Sequence, residues 1–392
     1  MNIHTLHELK NLTGKYVLLR DDFNVQIIGN AITDLFRIEQ SLPTIRALSA
    51  TGAKIVIMSH LGRPKGKENP ELSLCPVALA LEQLLGKPVL FKTDCLGRDF
   101  LSEMKNGDVA LLENLRFHSG EESNDLEFAR KLADGFDYYV NDAFAVSHRA
   151  HASVEAITNY LPSFAGELLS SEIAALSNLM ENPKRPLVGI IGGAKVASKI
   201  GVIKSLAKLC DKLIIAGGLG TSFRIANGGN ARDQLYDPSL KAPILEIMKE
   251  YSDKIILPDS KGVGKTFDVS ATRVDKMFDD ILPDDIIMDE GPESIAIFKR
   301  AIDGAKTIVW NGTVGMAEWQ PTWSAGTFAL ANFIANKTQS GELESVIGGG
   351  DTAAALEALG IKDKMSYVST GGGAFLEFIE GLSLPGIKAL EK

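Results

Sequence analysis

Short apolar runs rich in β-branched residues alternate with longer amphipathic stretches along most of the chain. Tyr16–Arg20, Lys54–Met58, Val89–Phe91, Val109–Leu112 and Tyr138–Val140 have the length and composition of buried strands. Helical spacing at Val77–Leu85 and Leu126–Phe136 falls between them. The alternation begins again near residue 185. Strands are predicted at Leu187–Ile191, Lys212–Ile215, Lys254–Leu257, Thr307–Trp310, Ser345–Ile347 and Ser366–Val368. Helices are predicted at Lys199–Cys210, Ala242–Tyr251, Ser294–Ala305, Thr327–Asn336 and Thr352–Leu359. Repeated strand–helix–strand order predicts mostly parallel sheets with helices on both faces. Two such blocks predict an α/β protein of two doubly wound, Rossmann-like domains.

A connector is expected between the blocks. Glu167–Met180 reads as a helix, which Pro183 and Pro186 stop. The predicted division is 1–165 for the first domain, 166–182 for a connecting helix with hinge potential, and 183–375 for the second domain. The length of 392 residues agrees, since about 150 residues per domain is usual.

Composition narrows the classes. Apolar residues at 45% and charged residues at 23% argue against long disordered tracts. A net charge of -9 argues against a broad nucleic-acid-binding surface but leaves room for a local basic cleft. Cys75, Cys95 and Cys210 are far apart and form no CxxC pair, so neither a disulfide framework nor a zinc site is expected. The N-terminus has no basic segment leading into a long apolar run. The longest charge-free stretch, Trp319–Asn336, contains Gln, Pro, Thr and Asn. No signal peptide and no membrane span are expected, which predicts a cytoplasmic protein.

Ligands of open parallel sheets bind beyond the carboxyl ends of strands. In the first block those ends carry cations and polar groups: Arg20, Asp22 and Asn24; then SHLGRP with His60 and Arg63; then ENLRFH with Arg116; then NDAFAVSHRAH with Asp142, His148, Arg149 and His151. Arg37 lies in the first crossover. One such arginine is ordinarily a solvated surface residue. Several on one rim predict a small ligand with several negative charges, since guanidinium groups suit carboxylates and phosphates. His148 and His151 lack the partner set of a zinc site. Asp21 and Asp22 are adjacent, so they face opposite ways and are not expected to form an acid–base dyad.

In the second block the strand ends are glycine-rich. Leu187–Ile191 runs into GGAKVASK, where Lys195 and Lys199 are four apart and are expected on one helical face. The next two such turns are GGGDT, with Asp351 and Thr352, and STGGGA. Glycine turns before a helix are often merely structural. Three of them in one block, with Lys and Asp, predict a nucleotide phosphate site, with Asp351 a hard ligand for Mg²⁺. The run GVGKT at Gly262–Thr266 resembles the end of a P-loop and follows a predicted strand. Asp259 occupies the position where a P-loop needs Gly, so that reading is rejected. No GxGxxG fingerprint is present.

Taken together, RDDFN, SHLGRP, LLENLRF, NDAF with HRAH, ENPKRP, GGAKV, WNG, GGGDTA and STGGGA with LEFIEG and LPGI resemble the phosphoglycerate kinase family over essentially the whole chain. The resemblance implies reversible Mg²⁺-dependent phosphoryl transfer between ATP and the carboxylate of 3-phosphoglycerate, giving 1,3-bisphosphoglycerate and ADP, in glycolysis. It implies Asp22, Asn24, Arg37, His60, Gly62, Arg63, Arg116 and Arg149 at the phosphoglycerate. Lys195 and the amides of Gly371, Gly372 and Gly373 are implied at the transferring phosphoryl, and Arg37 at the reacting carboxylate, as the catalytic set. Lys199, Asn311, Glu318, Gly350, Asp351, Thr352 and Ala353 are implied at the nucleotide, with Glu318 at the ribose and Asp351 at the metal. A monomer, closure of the domains about the hinge, and a return of residues 376–392 to the first domain are also implied.

The chain departs from the family pattern at Gln26, Ala145, Val146, Ser198, Ile287, Thr313, Val314 and Phe375. Many of these changes cluster at the nucleotide side. A non-catalytic binding descendant and a nicotinamide-dependent dehydrogenase are the competing readings. The missing GxGxxG argues against the second.

Overall fold

The computed structural model describes residues 2–29, 31–194, 196–229 and 236–391. The chain forms two compact units. One comprises the residues up to Ala174 and those from Ser383 on; the other is Ala175–Leu382. The first division falls inside the helix Glu167–Glu181.

The first unit is built on a six-stranded parallel sheet in the order Val89–Lys92, Val109–Leu112, Lys54–Met58, Tyr16–Arg20, Tyr138–Asn141, Ser163–Ala165. Its central strands are continuous apolar runs because both faces are covered. Alternate residues sort to opposite sides. Val17, Leu19, Ile55 and Ile57 pack with Ile38, Leu42, Ile45 and Leu48 of the helix Phe36–Ala50. Leu18, Val56 and Met58 pack with Phe128 and Leu132 of the helix Leu126–Ala133. Each fully buried side chain of this kind contributes about 1.5–3 kcal/mol. The helix Phe36–Ala50 is one that the spacing does not predict. Pro43 lies inside it and removes a backbone donor, a cost of about 3 kcal/mol that the buried face offsets.

The C-terminal segment belongs to this unit through Gly386 N–H, which donates to Ser147 O at 2.9 Å, and His4 N–H, which donates to Leu390 O at 3.0 Å. The helix Gly373–Glu380 stays with the second unit. There a side chain at Gly201 would meet the Glu380 carboxylate, and Ala374, Phe375, Phe378 and Ile379 are buried. The returning segment therefore begins at Ser383.

The second unit holds a parallel sheet in the order Ile255–Ile256, Lys212–Ile215, Leu187–Ile191, Thr307–Asn311, Glu344–Gly348, Tyr367–Val368. Strand order reverses between Leu187–Ile191 and Thr307–Asn311, so a crevice opens at their carboxyl ends. A second, antiparallel sheet of Val274–Met277, Ser260–Gly264 and Ile286–Glu290 is an addition that the sequence pattern does not predict. The strand expected before the GVGKT run is present as Ile255–Ile256, but the run itself is not a loop. Its two glycines lie within the strand Ser260–Gly264, and Gly262 packs where a side chain would meet the Arg273 guanidinium.

Candidate functional site

In the first unit the strand-end residues form one connected network. Asp22 Oδ2 accepts from Arg37 Nη1 at 2.6 Å, and Asn24 O accepts from the same nitrogen at 3.4 Å. Asn24 Oδ1 accepts from Gly62 N–H at 2.9 Å, and Gly62 O accepts from Arg116 Nη1 at 2.8 Å. His60 Nδ1 lies 3.7 Å from Asp22 Oδ1 and 3.2 Å from Arg20 Nη2. Asn114 orients this wall: its side chain caps the turn Leu115–Phe117 and so presents Arg116. Arg63 and Arg149 are exposed. Arg20, read from sequence as a rim cation, is completely buried.

The electrostatics of this wall are those of an anion site. Burial alone would raise the Asp22 carboxyl, but Arg37, Arg20 and the Asn24 N–H outweigh it and hold it at about 2. Burial drives the His60 imidazole well below its usual value, and Arg20, Arg116 and Arg37 add to this against Asp22. Burial, then Arg116, Arg20 and Arg149, take His151 down to about 3. The histidines are neutral donors or acceptors, and the guanidinium groups carry the positive field.

His148 and His151 enter no metal-ligating group among the described residues. Asp94, Cys95 and His118 do come within 4.8 Å of one another. There Asp94 Oδ1 accepts from Leu96 N–H at 3.1 Å, and Cys95 is packed in the apolar core, where burial raises its thiol.

In the second unit a cavity of about 540 Å³ opens at the reversal of strand order. Gly193 and Ala194 form one wall; Gly217 and Gly218 a second; Ile287, Met288 and Asp289 a third; and Thr313–Glu318 a fourth. Asp351, Ala354 and Ala355 complete it from the helix Gly350–Ala358. The two central strand ends touch. A side chain on Gly192 would overlap Thr313 O, and one on Gly312, at φ 87°, would overlap Gly192 O. Only glycine fits both places.

Of the residues expected at the nucleotide, Glu318 and Asp351 line the cavity. Lys199 donates to Gly192 O at 2.8 Å; burial lowers its pKa and Asp351 opposes the fall. Lys199 does not lie on a helical face as expected. The helix begins at Ile200, and Lys199 is its N-cap. Lys195 lies outside the described residues. Asn311 is buried, and its side-chain nitrogen has no partner among the described residues. Thr352 Oγ1 accepts from Gly312 N–H at 2.8 Å and fixes that turn, and Ala353 is buried beside it. The turn at Gly349–Gly350 meets the turn at Gly371–Gly373: Gly349 N–H reaches Gly371 O at 3.4 Å. The helices Gly350–Ala358 and Gly373–Glu380 start at these turns, so the first-turn N–H groups of two helices lie together, while Gly371 N–H donates to Ser369 Oγ at 3.0 Å.

Sequence reasoning missed Gly217 and Gly218, although they follow the strand Lys212–Ile215 as a glycine pair. It also missed the pair beneath them. Lys261 Nζ lies 2.7 Å from Glu290 Oε1, both side chains fully buried. Gly217 N–H donates to that same oxygen at 2.7 Å, and Gly217 O accepts from Lys261 at 3.1 Å.

The model of the family described as phosphoglycerate kinase matches residues 6–382. A phosphoglycerate kinase of Methylorubrum extorquens is 44% identical over 395 residues, covering 99% of this chain and 98% of that protein. One from Rippkaea orientalis is 47% identical over 389 residues and covers 97% of each. Among solved structures, phosphoglycerate kinase from Coxiella burnetii matches with a TM-score of 0.84 at 38% identity. The enzyme from Pyrococcus horikoshii matches with 0.87 at 29%. Both alignments cover 99% of this chain and 98% of the other.

Proposed function

The chain belongs to the phosphoglycerate kinase family, and from that membership we propose how its own residues carry out phosphoryl transfer between ATP and the carboxylate of 3-phosphoglycerate. It is a phosphotransferase with a carboxyl group as acceptor. A carboxylate nucleophile is already ionised and needs no general base, so catalysis reduces to positioning and charge stabilisation.

The cationic network of the first unit is the observation that carries the assignment. Asp22, Asn24, His60, Gly62, Arg63, Arg116 and Arg149 bind and orient the phosphoglycerate. Arg37, fixed by Asp22 at 2.6 Å, faces its reacting carboxylate. In the second unit the cavity takes the nucleotide, with Glu318 at the ribose. Lys195, Lys199, Asn311, Gly350, Thr352, Ala353 and the amides of Gly371, Gly372 and Gly373 serve the phosphates. The exposed Asp351 carboxylate, in the first turn of its helix and on the cavity wall, suits Mg²⁺ by its hard oxygen. The ion supplies charge neutralisation at the phosphoryl oxygens. Transfer requires the two substrates to meet with water excluded, so the reading includes closure of the two units.

The test is a coupled assay of the purified protein with 3-phosphoglycerate and Mg-ATP, with glyceraldehyde-3-phosphate dehydrogenase reporting. Turnover that needs phosphoglycerate and stops on chelation of the metal supports the reading; a folded protein inactive with every nucleotide defeats it. Ile287, Thr313 and Val314 line the cavity, so the same assay run with other nucleotides reads the base preference. A fall in the radius of gyration with both substrates bound tests closure. Family membership also supports a cytoplasmic monomer, which sedimentation and fractionation check. No helix among the described residues is long and apolar enough to cross a membrane.

A further inference from the structure

Two carboxyl groups that the proposed mechanism does not use lie behind the phosphoglycerate network. Asp21 and Asp142 directly follow the strands Tyr16–Arg20 and Tyr138–Asn141, which pair in parallel with Arg20 opposite Asn141. The next residues in that register are Asp21 and Asp142, and Asp142 N–H continues the ladder by donating to Arg20 O at 2.9 Å. Residues in register on neighbouring strands are about 4.8 Å apart and point to the same face. Both are completely buried. Both oxygens of Asp21 and Oδ2 of Asp142 have no hydrogen-bond partner among the described residues. The remaining oxygen, Asp142 Oδ1, accepts from Leu169 N–H at 3.0 Å in the first turn of the helix Glu167–Glu181.

Among the described residues neither carboxyl forms an ion pair, and the charge of Arg20 offsets the burial of Asp21 only in part. Arg20 is the nearest candidate, but its donors go to Ser153 Oγ, to the backbone oxygen of Asp21 and toward His60. Two carboxyls on neighbouring strand ends, fully buried and without an ion-pair partner among the described residues, are not both ionised. We propose that Asp21 and Asp142 share a proton, and that this O–H···O bond holds the Asp22–Asn24 segment against the loop that carries Arg149. The positioning half of this inference rests on the assignment of those residues to phosphoglycerate. The shared proton does not.

The surrounding charges agree with a retained proton. Burial, then Asp142 and Asp22, push the Asp21 carboxyl well above its usual range, against Arg20. Burial pushes Asp142 up to about 7, although Thr44 and the Leu168 and Leu169 N–H groups pull it down; Glu167 adds to the rise. The folded state thus keeps a proton that the unfolded chain releases above about pH 4. Stability associated with the pair is full below that pH and is lost as pH rises through about 7.

Asp21→Asn keeps the shape and supplies a donor that needs no titratable proton. Thermal unfolding of the parent and of this variant is compared at about pH 5 and about pH 8. The expected result is nearly equal melting temperatures in acid and a variant higher by roughly 3–6 °C in base. A gap that does not depend on pH, or a variant less stable in base, overturns the shared proton. Asp142→Asn gives a second reading of the same gap if the first variant folds poorly. For positioning, KM for 3-phosphoglycerate is expected to rise several-fold from neutral to basic pH in the parent and to stay flat in Asp21→Asn, with KM for the nucleotide unchanged in both. Equal profiles for the two proteins overturn the positioning role. Loss of phosphoglycerate binding in both proteins at every pH, with the melting gap intact, would instead count against the assignment of the site.

Discussion

The two units bury charge in opposite ways. In the first, Asp21 and Asp142 follow the paired strand ends Arg20 and Asn141, fully buried and with three of their four oxygens lacking a hydrogen-bond partner among the described residues. In the second, Lys261 and Glu290 sit at 2.7 Å, fully buried, and together fasten the Gly217 turn. A carboxyl pair is tolerated by holding a proton. A Lys–Glu pair is tolerated by mutual attraction, plus hydrogen bonds from Gly217 N–H to Glu290 Oε1 and from Lys261 to Gly217 O. Both devices hold a raised carboxyl and so respond to pH, but only the second depends on an opposite charge being present.

The largest effect should come from breaking the second device on one side. Glu290→Ala leaves a buried ammonium without a partner and should cost about 3–5 kcal/mol. The joint change Lys261→Met with Glu290→Met should be neutral or stabilising. All three tryptophans, Trp310, Trp319 and Trp323, lie in the second unit, so denaturant unfolding followed by their fluorescence isolates it. A double variant as unstable as the single one would show that the pair is held by something other than mutual compensation.

Arg37→Ala is the matching break in the first unit. It removes the donor proposed to face the substrate carboxylate and leaves the buried Asp22 without its 2.6 Å partner. Turnover should fall about 10²–10³-fold, as for other preorganised donors. Calorimetry should show nucleotide binding retained and phosphoglycerate binding weakened; equal loss of both would undo the division of substrates between the units.

The pH dependence of stability sharpens the contrast. Burial raises Glu290 to about 6, against Lys261 and the Gly217 N–H. A raised carboxyl means stability is fullest below the unfolded value and lost as pH climbs through about 6, on the order of 2 kcal/mol. Asp22, held at about 2, has the opposite sign: its stabilisation is present above the unfolded value and lost as pH falls through about 2. The double Met variant should flatten the first slope, and Arg37→Ala the second. The smallest change is expected at Lys184→Ala, whose partner Glu344 is exposed like itself; such pairs contribute about 0–1 kcal/mol.

Much of this architecture is legible in the order of residues. Tyr16–Arg20, Lys54–Met58, Leu187–Ile191 and Lys212–Ile215 are strands over the predicted bounds, because a strand covered on both faces must be apolar throughout. Pro43 conceals the helix around it. The strand Ser260–Gly264 is concealed by its own composition, since a lysine and two glycines match no strand pattern. Lys261 is tolerable there only because Glu290, 29 residues on, comes to meet it. Spacing alone puts Lys199 on a helical face, and the helix starts one residue later.

What the sequence determined by itself was the alternation of elements, the two-block order, and the kinds of group at each strand end: guanidinium and imidazole in one block, glycine and carboxylate in the other. Those follow from local rules of periodicity and from the chemistry of side chains. Tertiary structure alone decided which groups became partners. Sequence adjacency sets Asp21 beside Asp22, facing the opposite way, whereas sheet register joins it to Asp142. Arg20 has the sequence context of a rim cation and is buried. Pairing across a sheet depends on register between segments far apart in the chain, and no local pattern encodes that register until the core has closed around it.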